Sequence, residues 1–196
     1  MRVTAGSARG IELRTPQGWH GRPTTDRVRG AMFSMLEARE TVRDRRVLDL
    51  FAGTGALGIE ALSRGAASAV CVERGARESA VIRENAKRAA VADNLTVLAM
   101  PVARAIPSLD GPFDLVFMDP PYDDAEAIPA TLEALLSADG VLHDDAVIVV
   151  EHPSRNPADL DGLAVEELAM RRYGDTLVSL LTPRVSTASG SGEMIA

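Results

Sequence analysis

From residue 47 onward the chain alternates short apolar runs with stretches whose apolar residues recur every three or four positions, the pattern of strands separated by helices. The runs predict strands over 47–51, 69–73, 95–100, 113–118 and 147–151. The periodic stretches between them predict helices over 56–64, 76–90 and 125–137, with a short one near 102–109. Such regular alternation defines a parallel, doubly wound sheet. Residues 166–172 and 176–182 follow one another with no helix between and read as a closing antiparallel pair, which makes seven strands.

The front of the chain is patterned differently. Residues 2–5 and 10–15 are β-like runs around Gly6-Ser7-Ala8-Arg9, so a small hairpin outside the main sheet is expected. After a loop over 16–21, a helix is predicted to run through Arg39, with Thr24 or Thr25 as its N-cap. Val28, Met32, Met35 and Leu36 would form its apolar face, with Arg27 and Arg29 off it. Residues 185–196, rich in Ser, Gly and Thr, have no periodicity and are expected to be a disordered tail. The organisation expected is an N-terminal hairpin over 1–21, a main domain over 22–184 and the tail.

A chain of 196 residues with 46% hydrophobic content suits one α/β domain and a single core. No apolar run reaches a membrane-spanning length and no charged-then-apolar leader opens the chain, so a cytoplasmic protein is expected. Cys71 lies in an apolar run and reads as a small buried hydrophobe, while His20, His143 and His152 are scattered, so no metal site is expected. The net charge of −7 conceals an asymmetry, because residues 1–46 carry ten arginines, no lysine and five acids, a local +5 against −12 for the rest. An arginine-only basic front favours phosphate contacts and base stacking; a merely solvated basic face is the alternative.

Two motifs carry chemistry. The first, Asp49-Leu50-Phe51-Ala52-Gly53-Thr54-Gly55-Ala56-Leu57-Gly58, reads as strand, glycine loop and helix start. Gly53-x-Gly55-x-x-Gly58 with Glu73 about twenty residues on also satisfies the dinucleotide fingerprint. Asp49 separates the cofactor classes. A carboxylate there would repel a pyrophosphate and favour the sulfonium and ammonium of S-adenosylmethionine, whose own carboxylate can take the helix N-terminal N–H groups. Glu73 would accept from the ribose hydroxyls, and a loop-bonding role for Asp49 is the plainer alternative. The second motif, Asp119-Pro120-Pro121-Tyr122, follows the strand over 113–118 and so stands at the ligand-binding edge of the sheet. Two prolines remove N–H groups and leave acceptors beside a flat ring. Asp119 and the Pro120 carbonyl would accept both hydrogens of an exocyclic amine, and Tyr122 would stack on its base.

Together these motifs resemble S-adenosylmethionine-dependent amino-group methyltransferases. With Arg22-Pro23-Thr24-Thr25-Asp26-Arg27-Val28-Arg29, Glu60-Ala61-Leu62-Ser63-Arg64-Gly65 and the late Tyr173-Gly174-Asp175-Thr176, the chain is similar to the RsmD family. The resemblance implies a Rossmann-like S-adenosylmethionine-dependent methyltransferase fold with an N-terminal hairpin. It further implies methylation of the N2 amine of guanine 966 in 16S ribosomal RNA, within a small-subunit assembly. Asp119, Pro120 and Tyr122 would act on the base, and Asp49, Phe51, Gly53, Gly55, Glu73 and Arg74 would hold the cofactor. Arg2, Arg9, Arg14, Arg22, Thr25, Arg27 and Arg29 would contact RNA. One departure is that Leu98-Ala99-Met100-Pro101-Val102 offers only apolar side chains where a polar group commonly meets the adenine amine, leaving backbone groups, Arg74 or Asn94. An adenine-N6 methyltransferase, a nicotinamide oxidoreductase and a non-catalytic RNA-binding module are the alternatives. Removal of residues 1–16 is expected to cost RNA binding and leave the cofactor site folded, unless the hairpin covers the sheet edge.

Overall fold

The computed structural model describes residues 1–16, 18, 25–121 and 126–184. Its centre is a seven-stranded sheet made of β1 (Arg46–Leu50), β2 (Ser68–Val72), β3 (Leu95–Leu98), β4 (Phe113–Met118), β5 (Leu142–Pro153), β6 (Val165–Tyr173) and β7 (Thr176–Pro183). The order across the sheet is β3-β2-β1-β4-β5-β7-β6. The first five strands are parallel, and β7 runs antiparallel between β5 and β6. Winding starts at β1 and proceeds one way to β3, then returns to β4 and proceeds the other way. The reversal between β1 and β4 is the point where doubly wound folds open a ligand crevice.

Successive residues of the central strands face opposite layers, as strand geometry requires. Val47, Leu115, Phe117, Val147 and Val149 pack on one side, against α1 (Asp26–Glu37), α2 (Ala56–Ser63) and α3 (Ala76–Arg88). Leu48, Leu50, Val116, Met118, Ile148 and Val150 pack on the other, against α4 (Val102–Ala105) and α5 (Ala127–Ser137). β4 begins and ends where the apolar run does. β5 is longer than the predicted 147–151, because Leu142-His143-Asp144-Asp145 joins the strand despite two residues that disfavour it. Pairing with β4 at Phe113 and with β7 out to Pro153 supplies the partners that local propensity does not.

In α1 the Thr25 hydroxyl caps the first turn, accepting from the Val28 N–H at 3.3 Å. The buried face is Arg29, Met32, Phe33 and Leu36, rotated from the predicted one. Phe33 meets Phe117 with ring centroids 5.4 Å apart. Arg29, expected off the apolar face as an RNA contact, is instead buried completely.

The reason for that burial is Glu60 on α2, itself fully buried. Its carboxylate accepts from the Thr4 N–H (2.8 Å), the Thr4 hydroxyl (2.6 Å) and the Ala5 N–H (3.0 Å). It also accepts from Arg29 Nε (3.2 Å) and Arg64 Nε (2.9 Å). Burial works to raise the Glu60 pKa, yet the Thr4 bonds, then Arg64 and Arg29, outweigh it and hold the group below the usual carboxylate range. Arg29 also donates to the Arg2 carbonyl and to Asp26 (2.9 Å).

The first sixteen residues therefore do not stand free. Their antiparallel pairing is a single bridge, Arg2 with Glu12, outside the sheet as expected. Val3, Ala8 and Leu13 are buried in the same core as Met32, Leu36, Ile59 and Ala86. The segment covers helices and not the sheet edge. Removing residues 1–16 would open that core and strip Glu60 of three donors, so the expectation that the rest folds unaffected is corrected.

Glu60→Gln should cost about 3–5 kcal/mol, because it leaves the Arg29 charge buried beside a neutral group. The measurement is the urea midpoint of the variant. The Glu60 contribution is present above the ordinary carboxylate pKa and is lost as pH falls through its lowered folded value. A midpoint equal to wild type at neutral pH would contradict the role.

Candidate active site

The sheet register assembles the site. Val72, Leu50, Met118 and Val150 lie in one row across β2, β1, β4 and β5. The next residue of each chain segment is Glu73, Phe51, Asp119 and Glu151; the first three leave the sheet at its carboxyl edge, while Glu151 stays within β5, paired with Val178 of β7. Adjacent strands lie about 4.8 Å apart, which places the Glu73 and Asp119 backbones roughly 10 Å apart with the glycine loop between.

The loop after β1 turns on three left-handed residues, Phe51 (φ 61°), Gly53 (φ 54°) and Gly55 (φ 75°). A bulky residue in that region costs on the order of 1–3 kcal/mol and persists only where its surroundings hold it. Several bonds hold this loop. The Ala52 N–H reaches the Val72 carbonyl (3.0 Å) and the Gly55 N–H reaches the Ala52 carbonyl (2.7 Å). The Glu73 carboxylate accepts from the Gly53 N–H (2.9 Å) and the Gly75 N–H (2.7 Å), joining the loops after β1 and β2. Asn85 on α3 donates to the Thr54 carbonyl (3.0 Å) and exchanges bonds with the Arg14 backbone (2.7 and 3.0 Å). A Cβ on Gly55 would lie 2.8 Å from the Ile82 side chain, and one on Gly58 would lie 2.8 Å from Cys71 Sγ. Those two glycines serve the packing of α2 as much as any ligand.

Asp49 is buried at the base of the loop. Its Oδ2 accepts from the Gly58 N–H at 2.9 Å and faces the Cys71 thiol at 3.9 Å. Burial pushes its pKa up to about 7, partly opposed by the Gly58 bond and reinforced by the charge of Glu73. The loop-bonding role weighed in the sequence is thus occupied. The same group, only partly ionised at neutral pH, would gain most from a cationic neighbour.

Asp119 is half-buried, Pro120 buried and Pro121 exposed at the end of β4; Tyr122 lies outside the described residues. Pro120 and Pro121 form part of the wall of a cavity of about 400 Å³ that β5 and the segment after it complete, with Glu151, His152, Asn156 and Leu163 among its lining. His152 is 2% exposed. Its Nδ1 accepts from the Ala158 N–H (3.1 Å), which leaves the proton on Nε2 to face the Ser179 hydroxyl (3.2 Å). Burial lowers its pKa and keeps it neutral, so it works as a fastener for this wall.

Of the proposed RNA contacts, Arg2, Arg9, Arg14, Thr25 and Arg27 are exposed, while Arg22 lies outside the described residues. Arg14 is paired with Glu84, and Arg2 reaches the Gly10 carbonyl (3.3 Å). Arg29 is a correction: its guanidinium, fully buried between Glu60 and Asp26, is not presented to a ligand. Arg74 is exposed directly after Glu73. Asn94 is a second correction, since it donates to the Ala67 carbonyl (2.9 Å) at the opposite edge of the sheet and cannot meet the adenine. The sequence reading missed Glu60, Asn85 and Glu151. The signal for Glu60 was available as one carboxylate in an otherwise apolar helix. Glu151 stands at the end of an apolar run, as Glu73 and Asp119 do, whereas Asn85 carried no signal, because its bonds depend on elements distant in sequence. Among the described residues no cluster of His, Cys, Asp and Glu could hold a metal ion, and no helix is long and apolar enough to cross a membrane.

Sheet order, glycine loop and acidic row together define a Rossmann-like fold of the S-adenosylmethionine-dependent methyltransferase class. The chain belongs to the family described as Conserved hypothetical protein 95, whose model matches residues 1–182 and which includes the RsmD proteins. Ribosomal RNA small subunit methyltransferase D of Escherichia coli K12 is 37% identical over 80% of this chain and 76% of its own length. The putative rRNA methyltransferase YlbH of Bacillus subtilis is 35% identical over 78% of this chain and 82% of its own. Among solved structures, the putative methyltransferase yhhF from Escherichia coli superposes with a TM-score of 0.82 at 31% identity, covering 93% of this chain and 97% of its own. A hypothetical protein of Thermus thermophilus gives 0.75 at 32%, covering 92% and 98%.

Because the folded pKa of Asp49 lies above its unfolded value of 3.8, its contribution to stability is full below that value and is lost as pH rises through about 7. Asp49→Asn should therefore gain in stability relative to wild type between pH 5 and pH 8. Denaturation of both proteins across that range checks this; a constant difference would mean that Asp49 does not titrate there.

Proposed function

We propose that this protein transfers a methyl group from S-adenosylmethionine to the N2 amine of a guanine in small-subunit ribosomal RNA, by resemblance guanine 966. The observation that carries the reading is the juxtaposition, at the switch point of the sheet, of a cation-favouring carboxylate set with the Asp119-Pro120-Pro121 acceptors. The donor chemistry fits the cofactor. Asp49 and Glu73 are acceptors where a pyrophosphate would need donors, which favours a sulfonium ligand over a nicotinamide dinucleotide. Glu73, with both oxygens already fixed by backbone N–H groups, keeps lone pairs for two ribose hydroxyls.

The cofactor, when bound, supplies a methyl group activated by its sulfonium charge. The protein holds the acceptor. Asp119 and the Pro120 carbonyl take the two hydrogens of the amine and favour the pyramidal geometry in which its lone pair is available. Pro121 stiffens that segment, and Tyr122 is the stacking partner for the base. After transfer the nitrogen is acidic enough to release a proton to Asp119 or to water, so no strong base is required. Arg2, Arg9, Arg14, Arg22, Thr25 and Arg27 are the proposed contacts to the RNA backbone.

Incubation of labelled cofactor with ribosomal RNA, free and in small subunits, followed by nucleoside analysis, tests the reading. N2-methylguanosine is expected; N6-methyladenosine would overturn the base assignment, and unlabelled RNA with tight NAD binding would overturn the class. Asp119→Ala should leave cofactor affinity unchanged in calorimetry and lower turnover by about a hundred- to a thousandfold. Asp49→Ala should instead weaken cofactor binding about ten- to a hundredfold.

A further inference from the structure

The Asp119-Pro120-Pro121 acceptors do not by themselves distinguish purines. Any exocyclic amine can give them its two hydrogens. Discrimination has to come from a group beside the amine. In guanine one of the two ring nitrogens flanking the amine-bearing carbon is the N1–H donor and the other an acceptor, whereas in adenine and 2-aminopurine every ring nitrogen beside that carbon is an acceptor. A buried carboxylate at that place stabilises the first and repels the others.

We propose that Glu151 reads the N1–H of the target guanine and so decides which purine is methylated, an assignment that rests on the methyl-transfer reading above. Met118 and Val150 are register partners, so Asp119, the first residue past β4, and Glu151, still within β5 and paired with Val178, follow next to each other, about 4.8 Å apart at the backbone. Glu151 is 6% exposed and lines the 400 Å³ cavity together with Pro120 and Pro121. The described lining contains no arginine or lysine, and His152 is neutral with both ring nitrogens engaged. Such walls suit the donor-bearing edge of a base and not a phosphate. Asn156, also on the cavity lining, carries an amide that can donate to O6. Glu151 is also engaged within the protein; a carboxylate has about four acceptor positions and can serve both.

The test compares RNA carrying guanine with RNA carrying 2-aminopurine at the methylated position. 2-Aminopurine keeps the reactive amine and lacks both the N1–H and O6, so the Glu151 variants isolate the N1–H. Wild type should prefer guanine by at least about tenfold in kcat/KM, the effect of one charge-assisted hydrogen bond. Glu151→Gln, whose amide can donate to the 2-aminopurine lone pair, should lose about ten- to a hundredfold on guanine and narrow or invert the preference. Glu151→Asp should keep it. Thermal midpoints and S-adenosylhomocysteine affinity verify that the variants are folded. Equal use of both bases by wild type overturns the proposal without recourse to any variant. A folded Glu151→Gln that loses both activities in the same proportion also overturns it. If wild type methylates no guanine at all, the methyl-transfer reading falls first and this assignment with it.

Discussion

Five donors converge on one buried carboxylate, and much of the molecule is arranged by that convergence. Glu60 belongs to the helix that starts at the glycine loop, Arg29 to the first helix, and Thr4 and Ala5 to the front segment. A charge in this position is tolerable only because two guanidinium groups and three polar hydrogens surround it. Three elements far apart in sequence are thereby fixed against one another. Ser63, one turn further along α2, extends the clasp, donating to the Ala5 carbonyl (2.6 Å) and accepting from the Ala8 N–H (2.9 Å).

The clasp links the two halves of the proposed reaction. The same α2 that carries Glu60 presents its Gly58 N–H to Asp49, at the floor of the cofactor loop. Asn85 makes a second link, bonding at once to the Arg14 backbone and to Thr54 within the loop. The arginine-rich front is thus the outer surface of a unit whose inner surface is the cofactor loop. A flexible arm would lose conformational freedom on engaging the proposed RNA substrate; a docked one would present Arg2, Arg9 and Arg14 already in place.

β1 and β4 were legible because both of their faces are buried, which makes the apolar run and the strand nearly the same stretch; β3, at the sheet edge, has no fully buried residue. β4 was read to the residue. β5 was read short because three of its first four residues are polar and are strand only through their neighbours. Among the candidate site residues, Glu73 and Asp119 stand where an apolar run stops, at the functional edge of a parallel sheet, whereas Asp49 lies within its run and is singled out by the glycines that follow. Arg29 was misread by the reasonable rule that charged residues stay outside, which fails when a partner charge is buried with them. The proposed role of Glu151 was not legible because only the strand register places it beside Asp119.

Native-state hydrogen exchange tests most directly whether front segment and cofactor loop are one unit. If they are, the Thr4 and Ala5 amides, held by Glu60, should exchange with the same protection as the Gly58 amide, held by Asp49, and all three should lose protection together in Glu60→Gln. Thr4 and Ala5 amides that exchange freely while Gly58 stays protected would contradict the account, because the front would then be an arm that opens independently of the cofactor site.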